Sequence, residues 1–224
     1  MNNFEIIKEL YAEKNYTHLE EHFSASNDCR DREVLAKIFF LRGELKKASK
    51  LYKELDLPYH QGYCELLSGN IEFTKKLWDS MEDSSAIAAW GNALLGVLLN
   101  DVKNSPTFFQ VRNFLEVDLE NFLKYECHEY VNAIVNHLWL FEQINPECNK
   151  YVARVFFNHD RINEAIKLLK RHNDFYFKDP EAHVMLARCY LSKGDTQKAI
   201  KSLENCLACA PSYYPALMLL EQLK

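Results

Sequence analysis

The chain has 224 residues, with 27 Lys and Arg against 32 Asp and Glu; the net charge of −5 argues against the broad basic footprint of a nucleic-acid binder. Hydrophobic residues make up 48%, a globular composition that excludes disorder, and six Gly with six Pro are too few for the turns of a β-sandwich or barrel. Seven cysteines, an odd number scattered along the chain, suit a reducing compartment. Residues 1–8 show no basic segment followed by an apolar one. The charge-free run from Ser84 to Asn100 is shorter than the roughly 20 apolar residues of a membrane helix. An intracellular protein of the nucleus or cytoplasm is expected, with neither a membrane nor a nucleic acid as partner.

In chain order, residues 1–28 read as a compressed helical pair, Phe4–Ala12 and Tyr16–Phe23, around Lys14-Asn15. Residues 29–56 form a regular unit with Leu35-Ala36, Phe39, Gly43-Glu44, Ala48 and Tyr52. Residues 57–82 form a second compressed pair, Tyr59–Leu67 and Ile71–Met81, around Ser68-Gly69-Asn70. Residues 85–145 read as a degenerate unit with a long first helix: Trp90, Leu95-Gly96 and Leu99, then Phe108–Val117. From Asp118 to Asn145 only a helical apolar spacing survives.

Two regular units follow at 146–179 and 180–213. From Pro180 the chain reads Leu186-Ala187, Tyr190, Gly194-Asp195, Ala199, Leu203, Cys206 and Pro211. Thirty-four residues earlier, from Pro146, the same offsets hold Val152-Ala153, Phe156, Asp160-Arg161, Ala165, Leu169 and His172. Leu217 and Leu220 begin a further copy in a terminal helix, 214–224. Each unit holds two amphipathic helices, such as Glu181–Lys193 and Thr196–Ala208. Ala187 and Ala199 let the paired helices approach closely, and Leu186, Tyr190 and Leu203 fill the seam. Gly194 supplies a positive φ at one helix end and Asp195 caps the next helix. Large, small, aromatic, turn, small, large at a period of about 34 residues resembles the tetratricopeptide repeat (TPR). The expectation is an all-α fold, a single TPR-type α-solenoid over residues 1–224, in which each unit covers its neighbour's apolar face.

No catalytic, cofactor-binding or metal site emerges. Cys206-Leu-Ala-Cys209 lacks the second ligand pair of a zinc site and the βαβ context of a redox site, and Cys206 falls where the repeat prefers a small residue. Cys127-His128 is a lone adjacent pair on a helix, and the eight histidines accompany no recognisable nucleophile and acid. The resemblance to TPRs implies a concave groove lined by the first helix of each unit. Its positions hold Lys150, Arg154 and Phe157 in one unit and Val184, Arg188 and Leu191 in the next. The three cations form a basic strip suited to a carboxylate or acidic peptide, unless Glu147 and Glu181 neutralise it. The family's clamp for C-terminal carboxylates places Asn where Met185 stands here.

The N-terminal order is similar, more narrowly, to the N-terminal arm of the TPR scaffold subunits of the anaphase-promoting complex. Those proteins begin with a compressed helical pair (here Phe4–Phe23), then a well-formed unit (here Val34-Leu-Ala-Lys-Ile-Phe-Phe-Leu-Arg-Gly), then another compressed unit (here Gly62-Tyr-Cys-Glu-Leu-Leu-Ser-Gly-Asn). The resemblance implies a non-catalytic scaffold of a ubiquitin ligase in cell-cycle control, whose arm homodimerises by clasping the partner's first helices. This chain is shorter than those proteins. Phe4, Ile6, Ile7, Leu10 and Tyr11 spread over a wide apolar arc of the first helix, and Phe40 and Leu41 offer an apolar seat for a partner's copy of it. The alternative is a monomeric TPR adaptor or chaperone that binds a partner peptide in its groove.

Overall fold

A computed structural model of the chain describes residues 15–81 and 86–223. Helix boundaries follow local chemistry. Asp28, Asp179 and Asp195 each turn a carboxylate onto a free N–H at the start of a helix, of Arg30, Ala182 and Lys198 respectively. Thr107 and Gln110 form a reciprocal capping box, and Pro58, Pro180 and Pro215 sit in first turns, where a missing N–H costs nothing. Several helix ends share one geometry. Gly194 takes φ 73° and the following Asp195 N–H reaches back to Tyr190 O at 2.9 Å. Asp160 does the same with φ 57°, followed by Arg161 N–H to Phe156 O at 2.8 Å.

Fourteen helices result among the described residues, with no strand. The chain divides into two compact units between Asn104 and Ser105. The first contains α1 (Tyr16–Ser24), α2 (Cys29–Leu41), α3 (Leu45–Glu54), α4 (Pro58–Leu67), α5 (Ile71–Asp79) and α6 (Ala86–Leu98). The second contains α7 (Phe108–Lys124), α8 (His128–Asn136), α9 (Leu138–Ile144), α10 (Cys148–Asn158), α11 (Ile162–Phe175), α12 (Pro180–Ser192), α13 (Thr196–Cys209) and α14 (Tyr214–Gln222). Residues 29–56, 146–179 and 180–213 hold the helix pairs α2–α3, α10–α11 and α12–α13, and residues 57–82 hold α4–α5. The segment read as one degenerate unit, 85–145, is divided: α6 belongs to the first compact unit and α7 to the second. Helix α7 also runs on past Val117, and Cys127 precedes α8 as its N-cap rather than lying on a helix. The expected helix Phe4–Ala12 lies outside the described residues.

In the first unit, Leu19, Phe23, Leu35, Ile38, Ala48 and Tyr52 pack as one core. Beside it Trp78 is enclosed. Its ring stacks on Tyr59 at 4.9 Å with planes 6° apart, and its Nε1–H donates to Tyr59 O at 3.3 Å. Gly62 and Gly91 form the walls of its slot, since a Cβ on either would collide with the indole. In the second unit the seam between α12 and α13 is closed by Ala187, Ala199 and Leu203, each fully buried, as the repeat pattern requires.

Candidate functional site

The groove residues of the second unit do not form one basic strip. Lys150, on α10, is buried, with only 7% of its side chain exposed. Its Nζ lies 2.8 Å from Asp179 Oδ2, 3.1 Å from Glu181 Oε2 and 3.5 Å from Glu147 Oε2. Asp179 also accepts from the Ala182 N–H at 3.2 Å, and the His172 Nε2 stands 3.0 Å away, itself buried. Burial works against the Asp179 carboxylate, but hydrogen bonds from His172, Lys150 and the Ala182 N–H outweigh it and hold its pKa well below the usual range. Burial likewise works against the Lys150 ammonium, and hydrogen bonds to Asp179 and Glu181 outweigh it, raising its pKa. Lys150 is thus a junction that fastens α10 to the start of α12. Glu147 and Glu181 do neutralise it, with Asp179 as its shortest partner. The expected exposure of Lys150 to a ligand is corrected accordingly.

Arg154, one turn further on, is held by Glu116 of α7 at 3.2 Å and by Glu181 at 2.9 Å. Arg188, on α12, is exposed, and no ion pair engages it among the described residues. The difference follows from repeat register. Arg154 and Arg188 are equivalent positions 34 residues apart, but the positions equivalent to Glu116 and Glu181 one period on hold Lys150 and Pro215. Neither side chain can accept a hydrogen bond from a guanidinium.

A cleft of about 340 Å³ lies beside Arg188. Phe157, Val184, Met185, Tyr213 and Pro215 supply its largely apolar walls; Arg154, Asn158, Glu181 and Arg188 supply its polar side. Four of the six expected groove residues therefore meet in it: Arg154, Phe157, Val184 and Arg188. Lys150 and Leu191 do not line it. Sequence reading missed Asn158, Tyr213 and Pro215, although Tyr213 and Pro215 open the helix one period after α12. Two further clefts, of about 280 and 290 Å³, lie in the first unit beside Asn92 and beside Phe39. In the latter, Arg32 pairs with Glu54 and Lys47 with Glu44. Phe40 and Leu41 are half-buried on α2, with Phe40 tilted against Tyr63 at 6.1 Å. Their expected companions Phe4, Ile6, Ile7, Leu10 and Tyr11 lie outside the described residues.

All seven cysteines are free thiols. Burial pushes Cys64 and Cys148 up to about 12 and Cys189 and Cys206 up to about 11, so the buried thiols stay protonated. Cys206 is fully buried, a packing residue of α13. Among the described residues no group of three or more His, Cys, Asp or Glu is placed to hold a metal ion, and no helix is long and apolar enough to cross a membrane.

Residues 180–213, which span α12 and α13, match the family model for the tetratricopeptide repeat. No curated protein matches the sequence. Among solved structures, the chain is similar to the anaphase-promoting complex hetero-tetramer Cut9–Hcn1, at 19% identity and a TM-score of 0.40 over 96% of this chain and 40% of that one. It is also similar to YrrB, a TPR protein with an unusual peptide-binding site, at 16% identity and a TM-score of 0.38 over 92% and 97% of the two chains. A TPR protein from Parabacteroides merdae follows at 13% identity and a TM-score of 0.42 over 98% and 96%. The chain thus spans less than half the length of the Cut9–Hcn1 chain it matches. Residues 180–213 are thus matched as a tetratricopeptide repeat, set among the other helices of an all-α arrangement.

Proposed function

We propose that the chain is a non-catalytic protein-interaction module whose second unit holds an extended peptide with an acidic group in the cleft between α10 and α12. The observation that carries this reading is Arg188. It is an exposed guanidinium without an ion-pair partner among the described residues, beside apolar walls of Phe157, Val184, Met185 and Pro215. Such a site suits a carboxylate flanked by an apolar side chain, with bidentate geometry on the guanidinium. Arg154, already committed to Glu116 and Glu181, serves as wall rather than as ligand. Fluorescence anisotropy with labelled acidic peptides tests this. Arg188→Glu is expected to weaken the best binder at least about tenfold while Arg188→Lys retains part of the affinity. Equal affinity for wild type and Arg188→Glu would remove the proposal.

A second reading, a homodimeric scaffold of the anaphase-promoting-complex kind in nucleus or cytoplasm, is supported by the apolar pattern of residues 4–11 and by the half-buried Phe40 and Leu41. Light scattering coupled to gel filtration tests it. A dimer that Ile6→Glu with Leu10→Glu converts into a folded monomer supports the reading, and a wild-type monomer at micromolar concentration sinks it.

A further inference from the structure

The turn between α11 and α12 sets three consecutive aromatic side chains in solvent: Phe175 is 73% exposed, Tyr176 44% and Phe177 52%. The repeat does not require them. One period on, the same positions hold Cys209, Ala210 and Pro211; one period back they hold Phe141, which is buried, then Glu142 and Gln143. The turn is firmly held. Tyr176 N–H donates to His172 O at 2.8 Å, Asp179 N–H to Tyr176 O at 3.1 Å, and His183 Nε2–H to Phe177 O at 2.7 Å. The Phe177 ring stands edge-on to His183 at 5.0 Å. These ties fix an apolar edge outward, where its burial energy stays unrealised until something covers it.

The charge around this edge is predominantly positive. Lys167, Lys170 and Arg171 recur at helical spacing on the exposed face of α11 that leads into the turn, and Lys178 follows it. Between residues 167 and 178 four cations stand against one carboxylate, Asp174, in a chain of net charge −5. No ion pair engages Lys167, Lys170 or Lys178 among the described residues. Arg171 pairs with Glu142 of α9, and Trp139, one helical turn before Glu142, is 53% exposed.

We propose that the Phe175–Phe177 turn and the cationic face of α11 form a docking surface for an anionic lipid bilayer. Phe175 and Phe177 carry no polar atom for directional recognition, so their burial in the headgroup region is the available gain. Tyr176 suits the same interface, apolar in body and polar at one tip. The lysines place their ammonium groups at anionic headgroups, and the protein's overall negative charge is screened beyond a Debye length of about 8 Å. Single-stranded nucleic acid would need a basic groove for its backbone, and the cleft of this unit is lined by other residues. Surface docking of this kind needs no membrane-spanning helix.

The test is co-sedimentation of the full chain with vesicles of phosphatidylcholine alone or mixed with phosphatidylserine, at low and high salt. Binding is expected to the mixed vesicles only and to fall as salt rises. Phe175→Ser with Phe177→Ser, and separately Lys167→Glu, Lys170→Glu and Lys178→Glu together, should each weaken it at least about tenfold with helical content unchanged. All these side chains are exposed, so circular dichroism can verify folding in both variants. No sedimentation with mixed vesicles, equal sedimentation with both compositions, or undiminished binding by both variants would overturn the proposal. So would a single-stranded oligonucleotide or acidic protein that binds through these residues while the vesicles do not.

Discussion

Removing the Lys150 ammonium should destabilise the second unit far more than removing the Arg188 guanidinium, although both occupy groove positions. Lys150 has three carboxylates in reach, and their surroundings set the magnitude. Glu147 and Glu181 are half-exposed, at 51% and 46%, so solvent screens those pairs to about 0–1 kcal/mol each. Asp179 is 17% exposed and faces a lysine that is 7% exposed, so the loss approaches that of a buried pair, about 3–5 kcal/mol. Asp179 keeps His172 and the Ala182 N–H, which places Lys150→Ala near the lower end, about 3 kcal/mol. For a chain of this size that corresponds to a fall in Tm of about 6–12 °C. Thermal and urea unfolding followed by circular dichroism would measure both. Arg188→Ala, which removes an exposed side chain, should stay within about 0.5 kcal/mol. A loss below about 1 kcal/mol for Lys150→Ala, or equal losses for the two variants, would refute the assignment of Lys150 to the scaffold.

Three further outcomes follow from the geometry. Asp179 has a depressed pKa in the folded state, so its contribution is complete above the unfolded carboxylate range near pH 4 and is lost as pH falls through the folded value. Lys150 has a raised pKa, so its contribution is complete below about pH 10 and is lost at higher pH. The stability gap between wild type and Lys150→Met should therefore stay constant from about pH 5 to 9 and shrink only below about pH 4 and above about pH 10; a gap that widens as pH falls below 4 would contradict the pairing. Gly62→Ala should cost about 1–3 kcal/mol in urea unfolding, because the new methyl meets the enclosed Trp78 indole. A neutral Gly62→Ala would mean that the slot relaxes freely. Ala187→Leu should cost a similar amount by overpacking the α12–α13 seam, and a change within about 0.5 kcal/mol would speak against the helix contact.

Much of the fold is legible in the sequence because its rules are local. Gly194 and Asp195 announce one helix end and the next helix start within two residues, and the small residues Ala187 and Ala199 recur at fixed offsets. The middle of the chain lacks those markers. Glu126 takes the positive φ of 59° that glycine marks elsewhere, so the end of α7 carries no compositional signal. The Trp78 slot was missed for a different reason: Gly62 and Gly91 belong to different helices and acquire meaning only once both face one indole. The neutralisation of Lys150 by Glu147 and Glu181 was legible as an alternative, but its burial and its shortest partner, Asp179, were not. Asp179 lies at a long offset, 29 residues on, where the next repeat begins, and sequence spacing along one helix does not reach it.

Those long offsets nevertheless follow the repeat, and this permits a final prediction. Arg154 reaches Glu181, 27 residues ahead, at 2.9 Å. Arg188 stands in the same place one period later, and the residue 27 ahead of it is Pro215. Pro215→Glu should therefore place a carboxylate beside Arg188 and reproduce the Arg154–Glu181 pair. The substitution is mild for folding, because Pro215 lies in the first turn of α14, where the helix dipole favours an acidic side chain. An exposed pair of this kind contributes about 0.2–1 kcal/mol, and the added negative charge also repels an acidic ligand. Together these should weaken acidic-peptide binding about three- to tenfold, whereas Pro215→Gln, without the charge, should leave it within about twofold. Anisotropy titrations of both variants beside wild type decide the matter. Wild-type affinity in Pro215→Glu would show that Arg188 is not what the peptide's acidic group meets, and that the cleft holds its ligand, if at all, through its apolar walls.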